Sequence, residues 1–140
     1  IAMAGRIERA AGGSLRGKTV AVLGVTFKPN TDDMRDAPSL VVVPMLLERG
    51  AAVRVADPEG RKQAEPLLPG VKWCANALEA ADGADVLVVL TEWNEFRALD
   101  LKTLRERMGG DVLVDLRNIF NASAARALGF QYTGIGRGLA

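Results

Sequence analysis

Cationic side chains stand at two points where a short apolar run gives way to a polar loop. Lys28 follows the run TVAVLGVTF and its last residue Phe27, and Arg117 follows the run DVLVDL. Pro29 restricts the backbone of Lys28 toward an extended conformation. Ammonium and guanidinium groups stay charged at neutral pH and pair with phosphate oxygens. We therefore predict that Lys28 and Arg117 bind an anionic ligand. The alternatives are an ordinary surface lysine and an arginine that pairs with Asp115.

Arg35 is a third candidate, in the charged segment GVTFKPNTDDMRDAPS that spans residues 24–39. It lies one turn before the helix start that Pro38 and Ser39 predict. Three carboxylates are close to it in sequence: Asp32, Asp33 and Asp36. A guanidinium fork suits phosphate oxygens, whereas the alternative is a local salt-bridge cluster. Asp36 is also a candidate cap for the helix that follows.

Several kinds of chemistry are excluded by composition. The 140 residues include one cysteine and no histidine, so disulfides, Cys/His zinc sites and histidine-dependent triads are not expected. A net charge of +1 argues against a nucleic-acid-coating surface. No apolar run approaches the roughly 20 residues that span a membrane. We therefore predict no metal, no nucleic acid and no membrane among the partners, and a cytoplasmic setting.

The elements that position these residues alternate between short apolar runs and amphipathic stretches. TVAVLGVTF, AAVRVADP, DVLVVLT and DVLVDL read as strands, VKWCA as a weak strand and FQYTGIG as a closing edge strand. This rhythm is typical of βαβ units and predicts an α/β fold, a three-layer, Rossmann-like, doubly wound and mostly parallel sheet. Ligands bind such sheets at the carboxyl ends of the strands. Helices are predicted at SLVVVPMLLERG, at Ala75–Ala81, at Ala122–Leu128 and, as one helix, at Trp93–Arg107.

The first strand lacks the signature of a dinucleotide site. Gly24 is not followed by the spacing G-x-G-x-x-G, and Phe27, Lys28 and Pro29 would obstruct close approach of a pyrophosphate. Asp57 ends the second strand, where dinucleotide folds place a ribose-binding acid. Without the glycines, we expect Asp57 to form the turn in ADPEG instead.

Structural roles are expected for several polar and aromatic residues. Thr91 and Glu92 end the DVLVVL run and are candidate caps for the next helix, while Trp93 is expected to pack. The alternative for this segment is contact with a ligand. Trp73 and Cys74 are expected to fill core or edge positions in the weak strand.

Three ordered motifs carry a resemblance to a known family. They are FKPNTDDMRDAPS after the first strand, TEW at Thr91–Trp93 and DLRN at Asp115–Asn118. From Leu15 to Gly136 the chain resembles the C-terminal domain of the UDP-glucose/GDP-mannose dehydrogenase family. Leu116 is a departure, since relatives often carry glycine there.

The resemblance implies specific roles for these residues. Phe27, Lys28 and Arg117 match positions that contact a nucleotide sugar, here UDP-glucose, and Arg35 matches an arginine that reaches toward NAD held by another domain. In this family NAD accepts two hydrides, and a cysteine forms a covalent thiohemiacetal on the way to the uronic acid. Cys74 does not match that cysteine. The resemblance therefore implies no catalytic residue in this chain and no activity from it alone.

It also implies a domain organisation. Residues 1–13, IAMAGRIERAAGG, read as the C-terminal end of a preceding interdomain helix that Gly12 and Gly13 terminate, and residues 14–140 as the UDP-sugar-binding domain. The implied partners are an N-terminal NAD-binding domain, a central helical domain and further copies in a homo-oligomer.

Three alternatives remain open from sequence. The same domain could serve a UDP-N-acetylhexosamine or GDP-mannose dehydrogenase, because phosphate-binding cations serve any nucleotide sugar. A flavodoxin-like regulatory module is the second alternative, with acids at Asp32, Asp33 and Asp57. A module whose task is assembly with a partner subunit is the third.

Overall fold

The computed structural model describes residues 2–26, 34 and 37–134 of the chain, with side chains from residue 5 onward. The predictions for Phe27, Lys28 and Arg35, and for the three aspartates beside Arg35, fall outside these residues.

Six parallel strands form one sheet in the order β3-β2-β1-β4-β5-β6. The strands are β1 Thr19–Leu23, β2 Ala52–Ala56, β3 Lys72–Trp73, β4 Val86–Val89, β5 Val112–Asp115 and β6 Gln131–Gly134. The helices are α1 Ala2–Ala10, α2 Ser39–Glu48, α3 Arg61–Ala64, α4 Ala77–Ala81, α5 Asn94–Arg97, α6 Leu101–Arg107 and α7 Ala122–Ala127, with a 3₁₀ turn at Glu65–Leu67. This confirms the predicted Rossmann-like fold, and every strand pairing is parallel.

The central strands are apolar on both faces because helices cover both sides of the sheet. All four residues of β4 are buried. Alternate residues along β4 point into different cores: Val86 and Val88 face one core, and Leu87 and Val89 face the other. The molecule is therefore a three-layer α/β/α sandwich.

Each core joins the sheet to its own set of helices. On one face, Ile7 of α1 and Val42, Val43 and Leu46 of α2 pack on the sheet. On the other face, Phe96 of α5, Leu104 of α6 and Ala125 of α7 do so, together with three alanines of α4. None of the described helices is long and apolar enough to cross a membrane.

Helix α1 ends where its glycines predict. Gly12 and Gly13 both have φ +100°, a conformation that favours glycine. Their N–H groups donate to the carbonyls of Arg9 at 3.1 Å and Glu8 at 2.9 Å. Ile7 is fully buried, so tertiary contact holds a helix of nine residues that would be marginal in isolation.

The prediction of one helix over Trp93–Arg107 is wrong. The structure has two, α5 and α6, separated at Ala98–Asp100. Asp100 has an extended backbone, and its carboxylate accepts hydrogen bonds from the N–H of Lys102 at 3.2 Å and the hydroxyl of Thr103 at 2.9 Å. This aspartate begins a new helix, and the break lets both Phe96 and Leu104 reach the same core.

Candidate functional site at the carboxyl edge

The order of the strands creates a crevice beside β1 and β4. Successive connections leave the sheet on opposite sides there, and open α/β sheets bind ligands at the carboxyl edge of such a switch point. Gly24 follows β1 with φ +88°, and a Cβ at this position would lie 2.5 Å from the Thr91 Cβ. The loops that follow β1 and β4 therefore meet at a point where only glycine fits.

Two buried hydroxyls hold the loop after β1, one from the loop after β4 and one from the start of α2. The Thr91 hydroxyl donates to the carbonyl of Thr26 at 2.9 Å, and the Ser39 hydroxyl donates to the carbonyl of Val25 at 2.6 Å. The prediction that Thr91 or Glu92 caps the next helix is wrong, because Trp93 is the N-cap residue of α5 and no side chain caps this helix. The packing role of Trp93 is confirmed, since the residue is 6% exposed.

Asp57 is committed to the backbone. Its Oδ2 accepts from the N–H groups of Val25 at 2.7 Å and Thr26 at 3.3 Å, and its Oδ1 accepts from those of Glu59 at 3.0 Å and Gly60 at 2.6 Å. This confirms the turn role. In a dinucleotide-binding fold, the N–H groups of the loop after the first strand donate hydrogen bonds to a pyrophosphate. Here the Asp57 carboxylate accepts hydrogen bonds from the N–H groups at that position. The described residues do not fit NAD at this loop.

Asp115 organises the loop after β5. It is fully buried; its Oδ1 accepts from the N–H groups of Arg117 at 3.3 Å and Ile119 at 3.1 Å, and its Oδ2 accepts from the Phe120 N–H at 2.9 Å and the Tyr132 hydroxyl at 2.8 Å. A buried carboxylate needs such partners. The loop that carries Arg117 is consequently held to Asp115 at three of its N–H groups, and Tyr132 of β6 holds Asp115 in turn.

The Arg117 guanidinium pairs with Glu92, which follows the neighbouring strand β4. Nε donates to Oε1 at 3.0 Å and Nη2 donates to Oε2 at 3.0 Å, a bidentate arrangement. The predicted alternative, a pair between the side chains of Arg117 and Asp115, is wrong. Arg117 donates to Asp115 from its main-chain N–H and not from its guanidinium. The hydrogen bond from Arg117 holds the pKa of Glu92 below its usual value, against the opposing effect of burial.

The pair remains open to solvent. The Arg117 side chain is 39% exposed and that of Glu92 is 26% exposed. Pairs with this exposure contribute about 0.2–1 kcal/mol to stability. The main consequence of the pair is therefore a fixed orientation of the guanidinium at the carboxyl edge of the sheet.

The rest of the loop adapts to its unusual sequence. Leu116 is buried, and its N–H donates to the carbonyl of Val89 at 3.1 Å. Asn118 takes up the left-handed conformation, with φ 55°, which asparagine tolerates. Leucine at position 116 is therefore accommodated by packing.

A family model described as the UDP-glucose/GDP-mannose dehydrogenase family, UDP binding domain, matches residues 21–122 of this chain. The matched segment includes the last three residues of β1, together with Glu92 and Arg117. The chain belongs to the UDP-glucose/GDP-mannose dehydrogenase family.

Individual relatives agree with this family. A UDP-glucose 6-dehydrogenase of Rhizobium meliloti is 51% identical over 136 residues, which cover 97% of this chain and 31% of that protein. Among solved structures, a UDP-glucose dehydrogenase from Pyrobaculum islandicum superimposes with TM-score 0.74 at 33% identity, covering 92% of this chain and 27% of that one. An NDP-N-acetyl-D-galactosaminuronic acid dehydrogenase from Methanosarcina mazei superimposes with TM-score 0.84 at 31% identity, covering 97% of this chain and 29% of that one. This chain thus spans less than a third of these relatives.

Of the residues predicted to bind ligand, Arg117 is the one within the described part of the chain. It lies at the carboxyl edge, as predicted for a family member. Phe27, Lys28 and Arg35 lie outside the described residues, so their ligand roles stay predictions.

Cys74 has the structural role expected from the sequence. It is 6% exposed and belongs to the core on the α4 side of the sheet. Burial raises the pKa of its thiol, and the nearby carboxylate of Glu79 raises it further. A thiol with a raised pKa is a poor nucleophile.

The opposite edge of the sheet contains a cleft of about 220 Å³. Its polar groups are engaged within the protein: Lys18 Nζ donates to the carbonyl of Ala11, Asp85 accepts from the Thr19 N–H, and Gln131 donates to Asp111. The described residues contain no group of three or more His, Cys, Asp or Glu side chains able to hold a metal. We therefore place the candidate site at the carboxyl edge.

Sequence reasoning missed two residues of this site. The sequence pattern indicates a helix cap for Glu92 and, for Asp115, an alternative side-chain pair with Arg117. A usable signal was present, because an acid after one buried strand and an arginine after the next strand along the chain can meet when those strands are neighbours.

Proposed function

We propose that this chain is the nucleotide-sugar-binding domain of a UDP-glucose 6-dehydrogenase, an enzyme that oxidises UDP-glucose to UDP-glucuronate with two NAD. The observation that carries the proposal is the exposed, fixed guanidinium of Arg117 at the carboxyl edge of a matched UDP binding domain. A planar guanidinium with hydrogen-bond donors on several edges suits the oxygens of a diphosphate.

The proposal includes a second ligand-binding cation, Lys28. Phe27 and Lys28 follow β1 in the sequence, and Arg117 belongs to the loop after β5. The two strands flank β4, so their carboxyl ends are roughly 10 Å apart. That separation suits two cations that contact one nucleotide sugar from either side.

The remaining chemistry belongs to parts of the enzyme beyond this chain. We assign NAD and the catalytic cysteine to an N-terminal domain, Arg35 to contact with that NAD, and residues 1–13 to the end of the helix that connects the domains. In this proposal the full enzyme is a cytoplasmic homo-oligomer, and this chain is inactive alone. The occupation of the β1 loop by Asp57 supports the placement of NAD elsewhere.

The test is a titration of the chain with UDP, followed by backbone amide shifts. Arg117→Ala should weaken the binding free energy by about 1.5–3 kcal/mol, the range for a hydrogen bond to a charged group. The dissociation constant should therefore rise roughly 10- to 150-fold. Arg107→Ala is the matched control, because Arg107 also pairs with an exposed carboxylate, that of Asp82 at 3.6 Å. It should leave the affinity unchanged. Equal affinities for the wild type and Arg117→Ala would overturn the proposal.

A further inference from the structure

The pair between Arg117 and Glu92 uses one edge of the guanidinium. Glu92 contacts Nε and Nη2, and Nη2 lies 2.8 Å from Oε1 as well as 3.0 Å from Oε2. Arginine has five N–H donors, of which this contact engages two. Among the described residues no acceptor bonds to Nη1, so within this part of the chain the edge formed by Nη1 and Nη2 is available.

Both members of the pair are placed by the sheet. Val89 of β4 and Asp115 of β5 are register partners, and Glu92 and Arg117 follow within three residues of them. The Leu90 N–H donates to the carbonyl of Leu23, and Asp115 pins the Arg117 loop. The backbone segments that carry Glu92 and Arg117 are therefore both fixed relative to the sheet.

We propose that Glu92 is a positioning residue for nucleotide-sugar binding. It holds Arg117 by the Nε and Nη2 edge and thereby presents the Nη1 and Nη2 edge to a phosphate of the ligand. This inference rests on the proposed function. A long side chain that is ordered before binding loses less conformational freedom when the ligand arrives.

Charge repulsion between the Glu92 carboxylate and a phosphate would by itself lower the affinity for the nucleotide sugar. However, the guanidinium lies between the two anions in this arrangement, so the phosphate is closer to the cation than to Glu92. Coulomb interaction falls with distance and with exposure to water, and both groups of the pair are partly exposed. The ordering of Arg117 is therefore the larger effect.

The experiment measures UDP affinity in wild type, Glu92→Ala, Arg117→Ala and the double variant. Glu92→Ala should weaken UDP binding by about two- to tenfold, the cost of ordering one long side chain. It should cause no loss of affinity in the Arg117→Ala background, where no guanidinium remains to be positioned or to separate Glu92 from the phosphate, whereas a merely structural role would lower affinity in both backgrounds. Glu92→Gln, which keeps one acceptor for Arg117, should fall between wild type and Glu92→Ala.

Two further measurements sharpen the test. The Nε–H resonance of Arg117 should exchange slowly with water in wild type and quickly in Glu92→Ala. Glu95→Ala removes an exposed negative charge close in sequence without touching Arg117 and should leave the affinity unchanged. Tighter UDP binding by Glu92→Ala, or an equal loss in both backgrounds, would overturn the inference while the proposed function stands. Absence of UDP binding by the wild type would overturn the proposed function and this inference with it.

Discussion

At the scale of single residues, the carboxyl edge is stabilised by carboxylates that meet backbone N–H groups. Asp57 and Asp115 each accept four hydrogen bonds. Trp93 differs from them: its Nε1 is buried and has no acceptor within the described residues. A buried donor without a partner costs about 1–3 kcal/mol, so the indole ring contributes through its apolar surface.

Trp93→Phe tests this account of the indole. The substitution removes the unpaired N–H and keeps an aromatic ring. The free energy gained by removing a buried donor without an acceptor should nearly cancel the free energy lost with the smaller ring. We expect the free energy of unfolding, measured by urea denaturation, to stay within about 1.5 kcal/mol of wild type. Trp93→Ala should lose about 3–5 kcal/mol. A loss from Trp93→Phe as large as that from Trp93→Ala would show that the N–H is essential.

At the scale of elements, aspartates perform two different tasks at the ends of strands and helices. Asp57 joins the loop after β1 to the turn after β2. Asp100 acts within its own segment, where it begins α6. The first links parts of the chain that are distant in sequence, whereas the second satisfies one local helix end. The two substitutions to alanine should therefore have different costs.

Asp57→Ala should lower the free energy of unfolding by about 2–3 kcal/mol, because it leaves several N–H groups without their charged acceptor. Asp100→Ala, the matched control, should cost about 1 kcal/mol, the usual value of a helix cap. Amide exchange at Val25 should accelerate in Asp57→Ala and not in Asp100→Ala. Equal destabilisation with unchanged exchange at Val25 would mean that Asp57 does not hold the loop.

At the scale of the whole molecule, the apolar runs predicted the sheet because strands covered on both faces are uniformly hydrophobic. DVLVVLT and VAVLG became β4 and β1, and Asp57 formed its expected turn. The break between α5 and α6 was missed because the apolar stripe of residues 93–107 continues past Asp100. The partner of Arg117 was missed because it depends on β4 and β5 being neighbours, which a single run does not reveal.

The most direct test of the central claim locates the nucleotide on the molecule. The chain is titrated with UDP-glucose and, separately, with GDP-mannose, and every backbone amide is followed. We predict that UDP-glucose shifts the amides of Glu92, Arg117 and their loop neighbours, with no shift at Asp85 or Gln131 beside the opposite cleft, and that GDP-mannose at the same concentration shifts the first group less. Shifts confined to the opposite cleft, or none from a folded chain, would contradict a UDP-sugar site at the carboxyl edge.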